Sequence, residues 1–418
     1  MFVERARYLA AKARRAYSDG TLWPRVRWYL GQTLYVPARV STDYWFRLSP
    51  QDRRLPLKGG FADHRNKPEH RRPDPALVRR IIAAYKAAKR DQDSAPEAFR
   101  IKGIWLEWVN VHYRPLVDAL MAEDVTAVSA LLANFNREEF TVGTGGGYDD
   151  YRMFRNSPLA RWYIKCLWAS YRNKLLSQGF DLSRLEFPLV GNPFGPLYQG
   201  KVMQTETVRH TYKACEVTSL LRDVENAVVV EIGGGLGGQA YQTVRLSNPP
   251  IGKYLIFDLP EVAVVSSYFL AEAFPDRRVR FYGEGPVSTG SGEGFDLGVF
   301  PHFSIPRVED ASVDLFFNTC SLGEMDAAQS HEYLSIVERC GRRYFYHVNH
   351  ETEFVVRGKD GAISHSATGS QLVPDPTRFK RVYKHPRVLG RPEDPSLGYF
   401  AYLYERCARP LPVESGAA

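Results

Sequence analysis

No run of about 18 apolar residues occurs in this 418-residue chain, so no helix of it is expected to span a membrane. Cysteine is scarce. The five (Cys166, Cys215, Cys320, Cys340, Cys407) are scattered, odd in number and free of any C-x-x-C pair. That excludes a disulfide framework and the usual zinc spacings, and it fits a reducing, cytoplasmic setting. No internal repeat is present. The uninterrupted apolar core of a secretory leader is missing too, because Arg and Lys break up the N-terminal "MFVERARYLAAKARRAYSDG". This stretch reads as a basic amphipathic helix, either docked on the body or in peripheral contact with a membrane surface or partner. Cations exceed anions by 55 to 47, giving a net charge of +8. They are spread along the chain without a nucleic-acid recognition motif, so acidic small molecules account for them equally well and no nucleic-acid partner is expected.

What remains is a globular composition, 44% apolar and 24% charged, of a length that suggests two or three domains. Residues 1–48 carry the basic helix and an aromatic-rich arm, and 49–74 form a Pro/Gly/charge-rich linker. Residues 75–195 are helical in texture. Asp74 caps a helix with Pro75 in its first turn and Leu77, Ile81 and Tyr85 on one face. Asn156 or Ser157 caps another, with Pro158 in the first turn and Leu159, Tyr163, Leu167 and Tyr171 along it. Residues 196–410 alternate strand and helix, and 411–418 are a tail. Seven runs read as strands: "NAVVVEI", "KYLIFDL", "RVRFYG", "SVDLFFNT", "RRYFYHVN", "FKRVYKH" and "GYFAYLYERC". The early ones are spaced for strand–helix–strand units in a parallel sheet, and the last two for an antiparallel closing hairpin.

The chemistry centres on "VVVEIGGGLGGQAYQ", Val228–Gln242, with five glycines in six residues. Gly233, Gly235 and Gly238 satisfy the dinucleotide pattern G-x-G-x-x-G, with Asp258 twenty residues beyond. Gly233, Gly235 and Gly237 equally satisfy E-x-G-x-G-x-G, the pattern for S-adenosylmethionine. Glu231 separates the two. A carboxylate at the mouth of the first strand repels a pyrophosphate on the following helix N-terminus, whereas it attracts the ammonium and sulfonium of S-adenosylmethionine. Asp258, with Leu259 beside it, is then the acceptor for the ribose hydroxyls. An NAD(P)-dependent oxidoreductase or epimerase is the weaker reading. Its Tyr-x-x-x-Lys pair would have to be Tyr8 and Lys12, far from the sheet.

After the fourth expected strand comes "DLFFNTCSLGEM", which brings Asn318, Thr319, Cys320 and Ser321 to the crevice at the carboxyl ends of the strands. In their order, "VVVEIGGGLGGQA", "YLIFDLPEVAVVSSYFL", "DLFFNTCSLGEM" and "YFAYLYER", led in by "VGNPFGPLYQGKVMQTETVRHTYKA", resemble the successive blocks of a bacterial family of sugar O-methyltransferases. The resemblance covers about residues 189–406. It implies a Rossmann-like, seven-stranded class I methyltransferase sheet, S-adenosylmethionine as cofactor and a hydroxyl of a sugar, glycosylated metabolite or polysaccharide as acceptor.

Methyl transfer to a hydroxyl needs in-line alignment, worth about 7–11 kcal/mol, and a base, worth about 10²–10⁴-fold. The candidate bases are His210 on the helix before the sheet, Glu324 after the fourth strand, and His350 at the end of the fifth. His347 is expected to face the other way. Arg209 is a candidate for an anionic group of the substrate, and Ser321 and Asn349 for orienting it. Glu231, Gly233, Gly235, Gly237, Asp258, Leu259 and Asn318 are the cofactor candidates. Glu324, Asp326 and Glu351 lack a tight ligand spacing, so no metal is expected. "GTGGGYDDY", Gly143–Tyr151, is read as a surface loop or a sugar-binding lid.

Overall fold

The computed structural model describes residues 36–156, 158–290, 292, 294–353, 355–357, 363–387 and 398–408. The basic segment up to residue 35 and the tail 411–418 lie outside them. Eight strands make the main sheet: β1 (Val228–Ile232), β2 (Lys253–Asp258), β3 (Val279–Phe281), β4 (Leu297–Pro301), β5 (Val313–Thr319), β6 (Gly341–His350), β7 (Phe379–Pro386) and β8 (Tyr399–Arg406). Their order is β7-β8-β6-β5-β1-β2-β4-β3. β8 runs antiparallel to both neighbours, and the other pairings are parallel. This is the order of a class I methyltransferase sheet with one strand added at the parallel edge.

That count corrects the expected seven. The strand missing from the sequence reading is β4, a five-residue run that contains Gly298 and follows a glycine-rich stretch. Its signal is weak because the run is short, holds Gly298 in its interior and ends on Pro301. The run "RVRFYG" supplies the edge strand β3, which pairs with β4.

The chain leaves β1 for β2 on one side and later returns to β5 on the other. This reversal opens a crevice at the carboxyl ends of the strands, where open α/β sheets bind ligands. All five residues of β1 are buried, which helices on both faces require. Glu231 is thereby carried into the interior at the mouth of the crevice.

Helix α1 (Pro75–Gln92) begins as its signals suggest: the Asp74 side chain accepts from the Ala76 amide at 3.1 Å. Leu77, Ile81 and Tyr85 are buried along one stripe, each aliphatic contributing about 1.5–3 kcal/mol. They join Leu116, Val128 and Phe135 in one continuous core with Val229, Tyr254 and Tyr268 of the sheet side. The helical first half is therefore a layer packed on the sheet. Along the helix Pro158–Ser177, Tyr163, Leu167 and Tyr171 are buried whereas Leu159 is exposed, and Asn156 ends the preceding helix, Tyr148–Asn156. The linker is docked as well. The His64 amide donates to Asn192 Oδ1 at 2.9 Å, and Arg71 bridges to Val190. Within the stretch 355–370, Val355–Arg357 and Ile363–His365 form a small antiparallel pair.

Candidate active site

The glycine turn at the end of β1 forms the floor of a cavity of about 320 Å³. Gly233 and Gly235 both have positive φ, +74° and +54°, but serve different ends. A Cβ on Gly233 would stand 2.2 Å from Ser321 Oγ, whereas one on Gly235 would meet nothing within 4 Å. Gly233 thus admits Ser321, and Gly235 leaves backbone facing open space. Gly237, at φ +84°, packs against Ser266, Phe269 and Leu270 and starts the helix Gly238–Leu246. Its place is therefore under the turn, and it does not line the cavity.

Two acids flank the turn. Glu231 is 3% exposed and accepts from Tyr254 Oη at 2.9 Å. Burial pushes its carboxyl up to about 8; the tyrosine bond opposes this and nearby Asp258 reinforces it. Asp258 Oδ2 accepts from the Gly235 amide at 2.8 Å and Oδ1 from Leu259 at 2.7 Å. Burial nonetheless holds it up at about 7. A carboxylate oxygen has more than one acceptor site, so both oxygens can still accept from hydroxyls. Glu231 is buried and Asp258 half-buried, and burial raises both carboxyls. A cation beside Glu231 and a diol beside Asp258 fit this pair, which are the groups S-adenosylmethionine would bring. A pyrophosphate next to Glu231 does not fit.

The second wall is the helix Thr205–Leu220. Glu206, Arg209, His210 and Lys213 all line the cavity, and their i, i+3, i+4, i+7 spacing puts them on one face. Glu206 pairs with Arg209 at 2.7 Å. His210 lies against the N-terminus of the helix Gly238–Leu246: a Cβ on Gly238 would stand 2.6 Å from its Nδ1, which makes no hydrogen bond. Burial drives its pKa down to about 3, against the pull of Glu206 and with the help of Lys213 and Arg209, so the ring is neutral. Lys213 Nζ donates to Thr319 Oγ1 at 3.1 Å, and burial, then Arg209, brings it down to about 7.

At the end of β5 and just after it, Thr319, Cys320, Ser321, Glu324 and Met325 complete the wall. Glu324 Oε2 accepts from Trp105 Nε1 at 2.7 Å, and burial raises it to about 7. Trp105, residues 98–102 and Gly143–Gly145 close the cavity from the helical half, while Arg387 and Tyr399 reach it from the β7–β8 hairpin. The glycine loop thus contributes backbone to the wall, whereas Tyr148, Asp149 and Tyr151 begin a helix.

Four expected residues are placed otherwise, and one that lines the cavity is partly engaged. Asn318 and Asn349 lie behind the wall. Asn318 Nδ2 donates to the Ile232 carbonyl at 2.8 Å. Asn349 Nδ2 donates to Asn318 Oδ1 at 2.9 Å, and its Oδ1 accepts from the Gly323 amide at 2.9 Å. They brace the loop, because paired amides satisfy one another better than they could a ligand on the far side of the backbone. His350 is also outside the cavity wall, packed behind Gly323 and edge-on to Tyr399. Gly237 is the fourth. Ser321 lines the cavity, but its Oγ donates to the Ile232 carbonyl at 3.0 Å. His347 is buried, stacked on Tyr402. Glu206 and Lys213 escaped the sequence reading although their helical spacing from Arg209 and His210 was there to be read. Trp105 and Arg387 had no local signal. Among the described residues no three His, Cys, Asp or Glu side chains gather as a metal site.

No protein-family model and no curated protein matches the chain. Among solved structures, it is similar to magnesium protoporphyrin IX methyltransferase from Synechocystis PCC 6803 with bound S-adenosylhomocysteine, at 10% identity and a TM-score of 0.33. That match covers 56% of this chain and 97% of the other. Geranyl diphosphate methyltransferase in complex with S-adenosylmethionine matches at 13% identity and 0.30, covering 47% and 85%. An S-adenosylmethionine-dependent methyltransferase from Mesorhizobium loti matches at 12% and 0.27, covering 47% and 98%. Likeness at this level carries no substrate, and the fold assignment stands on the strand order itself.

Proposed function

We propose that the protein is an S-adenosylmethionine-dependent O-methyltransferase acting on a hydroxyl of a sugar or glycosylated acceptor. The observation that carries this reading is Glu231, a buried acid at the end of the first strand, one turn from an open glycine backbone and from Asp258. The sugar acceptor rests on the block order along residues 189–406, and Trp105 and Tyr399 give the cavity wall aromatic surface.

When bound, the cofactor supplies a methyl group already activated on a sulfonium. Glu231 would hold its ammonium, Asp258 its ribose, and the Gly233–Gly235 backbone would admit its chain. Everything else falls to the protein. Glu324 is the proposed base: its pKa of about 7 matches the working range in which a general base is most effective. His210, neutral and packed against Gly238, lines the cavity and shapes the acceptor's approach.

The decisive experiment is a thermal-shift comparison of S-adenosylhomocysteine with NADH, each near saturation. Ligand at a hundred times its dissociation constant stabilises by about 2.7 kcal/mol, a shift of a few degrees in a protein of this size. A shift with S-adenosylhomocysteine alone supports the reading and opens a screen of sugar acceptors with labelled S-adenosylmethionine. A shift with NADH alone overturns it.

A further inference from the structure

Three cations line the cavity among its acids: Arg209 and Lys213 from the helix Thr205–Leu220, and Arg387 from just after β7. Lys213 is the telling member. Its side chain is 5% exposed, yet among the described residues its ammonium makes one hydrogen bond, to the neutral hydroxyl of Thr319. The acids of its own helix are engaged elsewhere. Glu206 pairs with Arg209, and Glu216 accepts from Tyr346 Oη at 2.8 Å. Arg209 and Arg387 both lie near enough to disfavour its charge. Glu206, Glu216 and Glu231 act on it through space, but a buried ammonium without a carboxylate in contact is costly. Lys213 lines the cavity, where an anion of the ligand can supply that contact.

We propose that the acceptor carries an anionic group, a carboxylate or a phosphate, bound between Lys213, Arg209 and Arg387. Arg387 is steadied for this, its guanidinium stacked 4.1 Å from the centroid of the Tyr399 ring and its amide bonded to the Tyr399 carbonyl at 2.8 Å. A planar guanidinium suits either anion through two parallel N–H bonds. The inference rests on the methyl-transfer reading for the identity of the bound molecule as acceptor; the anion site rests on the cation cluster alone. It narrows the acceptor to acidic or phosphorylated sugars.

The test is calorimetric, on the full chain saturated with S-adenosylhomocysteine at fixed ionic strength, with inorganic phosphate, D-glucose 6-phosphate, D-glucuronate and D-glucose as probes. Saturable binding of an anionic probe, with glucose at least about tenfold weaker, is expected. Arg387→Gln and Lys213→Met should each weaken that probe by about tenfold or more, leaving S-adenosylhomocysteine affinity within about threefold. Arg387 is half-exposed at a hairpin end, so its variant is the one that folds if the lysine variant does not. Preference for the phosphates assigns a phosphoryl group, and preference for glucuronate a carboxylate. No saturable anion binding, equal binding of glucose, or affinity unchanged in Arg387→Gln would overturn the proposal. Anion binding without S-adenosylhomocysteine binding would keep the site and refute the methyltransferase reading; the reverse would do the opposite.

Discussion

Trp105 donates its indole N–H to Glu324 Oε2 at 2.7 Å, tying the helical half of the chain to the loop after β5 across 219 residues. That bond lowers the carboxyl pKa, which burial has raised to about 7. Trp105→Phe should therefore raise it further, moving the acid limb of the pH–rate profile to higher pH. Glu324→Gln should cost about 10²–10⁴-fold in kcat while S-adenosylhomocysteine still binds. Full turnover in Glu324→Gln would transfer the role of base to His210.

Glu231 should titrate with the cofactor. At neutral pH its carboxyl, raised to about 8 by burial, is largely protonated. A ligand ammonium favours the charged form, so binding of S-adenosylhomocysteine at pH 7 should release a proton. Calorimetry in buffers of different ionisation enthalpy reads this directly. Glu231→Gln should abolish the release and weaken binding by about 10–100-fold, the worth of a charged hydrogen bond.

Stability of the unliganded protein should also respond. The folded Glu231 holds its proton up to about pH 8, whereas the unfolded side chain loses it near 4.5. Between these values the native state binds more protons, so this group's contribution to stability falls as pH rises. Other groups titrate in the same range, and the difference between wild type and Glu231→Gln isolates it. The variant should gain on wild type between pH 5 and 8, by an amount on the order of a few kcal/mol. Denaturant titrations at both pH values provide the check, and a constant difference would refute the buried-acid account.

Gly233 and Gly235, both at positive φ, should fail differently. Gly233→Ala places a methyl group on Ser321 Oγ, breaking its bond to the Ile232 carbonyl, and should lower stability by about 2–4 kcal/mol. Gly235→Ala meets no neighbour. It should cost about 1–2 kcal/mol for the left-handed backbone, and its larger effect should be lost affinity for S-adenosylhomocysteine. Melting temperatures and binding isotherms of the pair separate the two roles.

Much of this was written locally. The Asp74 cap, the glycine turn and the closing hairpin each depend on residues close together in the chain, so spacing alone exposes them. Glu231 and Asp258 were legible because the strand before each ends at a known point relative to the turn. β4 was not, since Gly298 and Pro301 dilute a five-residue run below the β-branched and aromatic density that marks the other strands. Asn318, Asn349 and His350 lie outside the cavity lining. A position at a strand's carboxyl end places a residue near the crevice, but whether its side chain enters depends on backbone packed across from it, here Ile232 and Gly323.

Sequence by itself determined the sheet's class, the turn and the acids beside it, because hydrophobic burial and backbone geometry act over neighbouring residues. Only the tertiary structure decided the acceptor half. Trp105, Lys213, Glu324 and Arg387 meet from four distant segments, and their pKa values follow from shared burial and mutual charge, which exist only once the chain has closed around the cavity.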